Sequence, residues 1–235
     1  MNIKNHIPNS ITGMNLFSGC ISIVFSFSHN YEMAIVFIIL AAVFDFFDGM
    51  AARLLNVKSE IGKELDSLAD VVSFGVSPAM IIFCKMNDLI AVENITNWQI
   101  YIPYIAFIVP VFSALRLAKF NLDTRQTNSF IGVPTPANAL LISTLVLLPA
   151  EWSFLFNIYS LSFICIAMSL LLVAEIHLIA LKIKNLSWKD NRIRYIFVIG
   201  AVIIAAILMQ NAIPFIIIWY VVISVIENIF LKKKD

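Results

Sequence analysis

Four aspartates, Asp45, Asp48, Asp66 and Asp70, lie in or beside two long apolar stretches in the pattern D-x2-D-G-x2-A-R-x8-G-x3-D-x3-D. Charge at membrane depth is costly and usually faces a protein cavity at a functional site. Four carboxylates gathered at low dielectric repel one another strongly. Two divalent cations would balance their charge. Hard carboxylate oxygens, with no His or Cys nearby, favour Mg²⁺ or Mn²⁺ over zinc. Such a site can clamp phosphoryl oxygens while a hydroxyl displaces a leaving group, or one carboxylate can serve as general base. The bland alternative is an ion pair or a helix-end cap, but the only cations close in sequence are Arg53, Lys58 and Lys63, all in one turn.

Helices must hold these groups. Asp45 and Asp48 are three apart, and Asp66 and Asp70 four apart, so each pair shares a helical face. Gly49 and Ala52 carry little or no side chain, as does Gly62 at the turn into the next helix, so a ligand can approach the backbone there. Arg53 offers a planar fork suited to phosphate oxygens.

The composition places those helices in a membrane. Of 235 residues, 60% are hydrophobic and 13% charged, against about a quarter charged in a soluble domain. Mean hydropathy is +0.90. Cys20, Cys84 and Cys165 lack C-x-x-C spacing and read as small core hydrophobes. The polar start and an apolar run without a small-residue cleavage site predict a retained first helix rather than a leader.

Apolar runs long enough to cross a bilayer fall at about 13–28, 32–55, 66–86, 99–120, 136–150, 153–181, 195–210 and 212–231. The fold class expected is all-α, a polytopic protein of eight transmembrane helices, the second and sixth overshooting the bilayer. With the N-terminus inside, fifteen of the sixteen basic residues fall on the cytoplasmic side, leaving Lys85 outside. Both termini are then cytoplasmic. Asp45 precedes Arg53 by eight residues, about 12 Å deeper, so the carboxylates open toward the cytoplasm at the level of lipid phosphates. Glu175, in the sixth segment, is expected as an interhelical polar contact. No nucleic-acid partner is called for.

The run from Asp45 to Arg53, followed by Gly62, Asp66 and Asp70, resembles the complete signature of the CDP-alcohol phosphatidyltransferase family, with every fixed position and spacing present. The resemblance implies a six-helix catalytic core, about 5–182 here, with the last two helices, about 190–231, as an extension of one domain. It implies two divalent ions, one on Asp45, Asp48 and Asp66 and the other on Asp45, Asp66 and Asp70, with Asp70 as proton acceptor from the alcohol. It also implies CDP contacts at Gly49, Arg53 and Ser59. Pro8-Asn9-Ser10-Ile11-Thr12 is similar to the family's P-N-x-x-T segment, which adds Asn9 and Thr12; an N-cap before the apolar run is its plainer reading. Family members commonly pair through membrane helices, so a homodimer in membrane lipid is expected.

The acceptor rests on weaker motifs. Ser73–Ala79, Ser113–Asn121 and Phe130–Ala137 are similar to the bacterial and archaeal-type phosphatidylserine synthase branch, and Val71 stands where the glycerol-phosphate-accepting branch carries Lys. That likeness implies CDP-diacylglycerol and L-serine as substrates at a prokaryotic inner membrane. Serine's carboxylate needs a cation, for which Arg116 and Lys119 are candidates, with Asn121 and Thr135 assisting; positive-inside anchoring is the plain alternative for the basic pair. Glycerol 3-phosphate, inositol phosphate or choline are the competing acceptors. A cation transporter is the competing class, although it leaves Gly49, Arg53 and Gly62 without a purpose.

Overall fold

The computed structural model describes residues 3–57, 59–122, 130–149, 152, 157–178 and 188–231. The fold is helical. α1 (Ile3–Phe27) and α2 (Tyr31–Leu54) form an antiparallel hairpin, and α3 (Glu60–Asp70) runs through a π-helical turn (Val71–Val76) into α4 (Ser77–Val92). A 3₁₀ stretch (Trp98–Phe107) leads into α5 (Ile108–Leu122); α6 (Thr135–Thr144), α7 (Ile158–Val173), α8 (Trp188–Leu208) and α9 (Ala212–Leu231) follow. Among the described residues, five stretches are long and apolar enough to cross a membrane: His6–Phe27, Tyr31–Leu54, Glu60–Val92, Trp98–Leu122 and Asn191–Leu208. With these spans the chain is an integral membrane protein. The runs expected at 136–150, 153–181 and 212–231 correspond to shorter apolar helices.

α1 shows why the first helices pack so closely. Its buried stripe is small and polar: Thr12, Asn15, Ser18, Ser22 and Ser26 are all buried, while Phe17, Val24 and Phe27 face outward. Small residues let membrane helices approach, and hydroxyls bond across the gap. Ser22 Oγ donates to the Ala34 carbonyl at 2.7 Å and Ser77 Oγ donates to Ser22 Oγ at 2.6 Å, tying α1 to α2 and α4. Ile38, Phe74, Ile81, Ile82, Met86, Ile142 and Leu161 close an apolar core beyond that stripe.

Two sequence expectations are corrected. Asn9 and Thr12 do not cap a helix beginning at 13, because α1 already starts at Ile3 and carries Pro8 inside it. Pro8 lies in the second turn, so its missing amide hydrogen costs α1 one intrahelical bond near its start. Nor does the sixth segment overshoot. Asn157 caps α7, its Oδ1 accepting from the Tyr159 and Ser160 amides at 3.0 and 2.8 Å, and the helix ends at Val173. Beyond it His177–Leu178 pairs antiparallel with Phe130–Ile131. The carbonyls of Leu171 and Ile176 accept from the Val133 and Gly132 amides at 3.1 and 2.9 Å, so they are satisfied across the chain. Glu175 is therefore exposed beyond a helix end rather than placed between helices.

Candidate active site

α2 and α3 supply the four carboxylates. Asn30 caps α2, its Oδ1 accepting from the Met33 amide at 3.2 Å, and the long apolar helix carries Asp45 and Asp48 toward its far end. The chain leaves α2 after Leu54 with Asn56 at φ +51. Ser59 then caps α3, accepting from the Gly62 amide at 3.2 Å. Oxygens of Asp45, Asp48 and Asp66 all lie within 4.8 Å of one another. Asp70 stands beside them, in electrostatic range of Asp45 and Asp66.

α1 orients this cluster from the side. Thr12 and Asn15, three apart, reach carboxylates on two different helices. Thr12 Oγ1 donates to Asp48 Oδ2 at 2.6 Å; its longer contact, 3.1 Å to the Pro8 carbonyl, cannot use the same proton at once. Asn15 Nδ2 donates to Asp70 Oδ1 at 3.2 Å. Asn15 is fully buried, and Ser73 Oγ donates to its carbonyl at 3.0 Å. Ser73 belongs to the π-helical turn directly after Asp70; such turns recur at functional sites because they re-aim side chains within a helix.

The carboxylates fit a divalent cation. Asp66 Oδ1 is buried with no hydrogen-bond partner among the described residues, and three carboxylates crowd one point. A cation satisfies both conditions. Because Thr12 fixes the rotamer of one of these groups, Thr12→Val is expected to raise the Mn²⁺ concentration for half-maximal binding about tenfold, the usual scale for losing a hydrogen bond that orients a metal-holding side chain. Electron paramagnetic resonance of free against bound Mn²⁺ reads this directly.

A cavity of about 610 Å³ opens beside the cluster, lined by Asn9, Thr12, Gly49 and Ser59 together with Asp48 and Asp66. Lys63 and Glu60, which the sequence did not single out, also line it. Arg53 sits on the exposed side of α2 and is not among the lining residues. Arg116 is buried on α5, in electrostatic range of Asp70 and Asp45, its guanidinium 5.1 Å from the centre of the Phe120 ring. Thr135 is buried at the start of α6. Lys119 is exposed. Asn121 has its side-chain amide nitrogen committed elsewhere: Nδ2 donates to Ser67 Oγ at 2.8 Å, while its backbone carbonyl accepts from Lys63 Nζ at 2.8 Å. Asn15 is the residue that sequence reasoning missed. Its signal was present, since Thr12, Asn15, Gly19, Ser22 and Ser26 recur at helical spacing through an apolar run.

The comparisons agree with this geometry. The family model for CDP-alcohol phosphatidyltransferase matches residues 5–175. A Mycobacterium leprae protein named CDP-diacylglycerol–serine O-phosphatidyltransferase is 32% identical, the alignment covering 95% of this chain and 73% of that protein. A Bacillus subtilis protein of the same name is 39% identical over 56% of this chain and 70% of its own length. One from Helicobacter pylori, again so named, is 36% identical over 63% of this chain, and the match spans 60% of that relative's length. The family match covers the hairpin, the four aspartates and the helices that enclose them, so this chain belongs to the CDP-alcohol phosphatidyltransferase family.

Proposed function

We propose that the protein transfers the phosphatidyl group of CDP-diacylglycerol to the hydroxyl of L-serine, giving phosphatidylserine and CMP. One observation carries the proposal: a cavity large enough for a nucleotide ends on Asp48 and Asp66, and a carboxylate held by a buried amide, Asp70, stands beside the same cluster. The names of the three relatives supply the donor and the acceptor.

In this mechanism Asn9, Thr12, Gly49 and Ser59 bind the cytidine diphosphate moiety in the cavity, with Arg53 closing on its phosphates from the rim. Asp45, Asp48 and Asp66 would hold one divalent ion, and Asp45, Asp66 and Asp70 a second. Bound there, Mg²⁺ or Mn²⁺ would neutralise the pyrophosphate and the charge that builds on departing CMP. Asp70 accepts the proton of the serine hydroxyl as its oxygen attacks the β-phosphorus. The bond from that phosphorus to the bridging oxygen breaks, and the electron pair leaves with CMP. Asn15 keeps Asp70 Oδ1 engaged and so turns the other oxygen toward the incoming hydroxyl. Arg116 takes the serine carboxylate, assisted by Thr135.

The basic residues support an orientation with eight crossings, both termini in the cytoplasm and the site open to it at a prokaryotic inner membrane. Residues 5–182 form the catalytic core, 190–231 the extension, and two copies pair through membrane helices.

Purified protein given CDP-diacylglycerol and Mn²⁺ with each alcohol in turn tests the acceptor. CMP release fastest with serine is expected; a rate with serine no higher than with glycerol 3-phosphate, inositol phosphate or choline overturns it. Arg116→Ala is expected to raise the serine KM tenfold or more, the scale of a lost charge-assisted hydrogen bond, while the CDP-diacylglycerol KM moves far less. Steady-state kinetics varying one substrate at a time separates the two.

A further inference from the structure

Four side chains on two helices are buried without hydrogen-bond partners among the described residues: Ser113 Oγ and Arg116 Nε on α5, and Thr135 Oγ1 and both amide atoms of Asn138 on α6. Ser113, Thr135 and Asn138 are all 0% exposed. Each pair is three residues apart, so each shares a helical face. Both helices pack against the π-helical turn that follows Asp70. Gly75 in that turn abuts α5 so closely that a Cβ there would lie 3.2 Å from Ser113 Cβ. α6 also packs on α2, which carries Asp45. Buried polar groups are almost always paired, and those left open here, with Arg116 among them in electrostatic range of Asp70 and Asp45, mark a place for a ligand.

The chemistry of the set identifies that ligand. Arg116 offers a cation, Ser113 and Thr135 offer hydroxyls that donate or accept, and Asn138 offers one acceptor and two donors. Such a mixture suits a zwitterion, not a simple polyol or a phosphate, which would call for more cations. The ammonium of a zwitterion needs an acceptor, and next to four aspartates a further carboxylate would add repulsion and compete for metal. A neutral amide carbonyl meets the need without adding charge. We propose that Asn138, assisted by Ser113, receives the α-ammonium group of an amino-acid alcohol and thereby sets acceptor specificity. This rests on the transfer reaction proposed above and extends it to Asn138, which lies just beyond the motif segments, and to Ser113 within one of them.

The test uses Asn138→Leu in the full chain, assayed for CMP release with serine and with 3-hydroxypropionate, which keeps the hydroxyl and carboxylate but lacks the ammonium. The serine KM is expected to rise tenfold or more, with the CDP-diacylglycerol KM within about twofold. The preference for serine over 3-hydroxypropionate should collapse by a similar factor, a ratio that a purely structural role would leave unmoved. The thermal midpoint in detergent should hold, since Leu removes an unpaired buried amide. An unchanged serine KM and an unchanged ratio, with a lowered midpoint, would show that water satisfies Asn138 and would overturn the proposal. Should the Leu variant fail to fold, Asn138→Ser and Ser113→Ala read the same ratio. If wild-type protein does not favour serine over other alcohols, the reaction proposed above falls. If it does and the variants keep the ratio, only this inference falls.

Discussion

Replacing Asp70 with Asn is expected to lower turnover by about 10²–10⁴-fold, the range for loss of a general base, while CDP-diacylglycerol binding stays measurable. Asn has nearly the same shape, and its Oδ1 can still accept from Asn15 Nδ2, which lies 3.2 Å from the native oxygen. What disappears is the capacity to take a proton from the acceptor hydroxyl. Asp48 and Asp66 still line the cavity, so the nucleotide site keeps its charge there. CMP release under saturating serine measures the first quantity, and equilibrium binding of CDP-diacylglycerol in Mn²⁺ measures the second. Turnover like that of the wild type would refute the assignment of the base. Loss of binding and turnover together would instead give Asp70 a mainly metal-holding role.

Gly132→Ala is expected to destabilise the protein by about 2–4 kcal/mol, combining left-handed backbone strain with a steric clash. Gly132 sits at φ +77, where only glycine is free of penalty. A Cβ there would press on the Leu172 carbonyl oxygen and stand 3.1 Å from the Leu172 carbonyl carbon and 3.3 Å from the Ala174 oxygen. These are backbone atoms held by the hydrogen bonds from Gly132 and Val133 to Ile176 and Leu171, so none can swing aside. Because this turn sets where α6 begins, and α6 carries Thr135 and Asn138 in its first turns, the serine KM should rise along with the fall in thermal midpoint. Thermal unfolding in detergent, followed by serine kinetics on the surviving protein, reads both. A midpoint within error of wild type would mean the turn relaxes without cost.

Much of the site could be read before any coordinates. The aspartate spacing placed two carboxylates on each of two helices, and the excess of acid over nearby base asked for metal. Hydropathy located the long helices that bear them. Helix ends were less legible. Asn9 and Thr12 looked like caps because an apolar run follows them, yet α1 extends to Ile3; a polar first turn continues a helix as readily as it caps one. The end of α7 was hidden for a different reason. Nothing in the apolar run predicts that Leu171 and Ile176 carbonyls will be taken by amides forty residues away.

The sequence by itself determined which carboxylates share a helix face, because residues three and four apart lie on one side of a helix, and four such groups gathered at low dielectric call for neutralisation. Tertiary structure alone decided what holds them. No motif tells that Thr12 and Asn15 reach carboxylates; α1 packs against both acidic helices and brings one donor to Asp48 and another to Asp70. The proposed acceptor site likewise depends on packing. Ser113 and Asn138 are twenty-five residues apart with no periodicity joining them, and the π-helical turn after Asp70 is the shared surface against which both helices settle. Local spacing fixes which residues share a helix face, while contact between helices depends on side-chain fit summed over the whole bundle, which no short motif encodes.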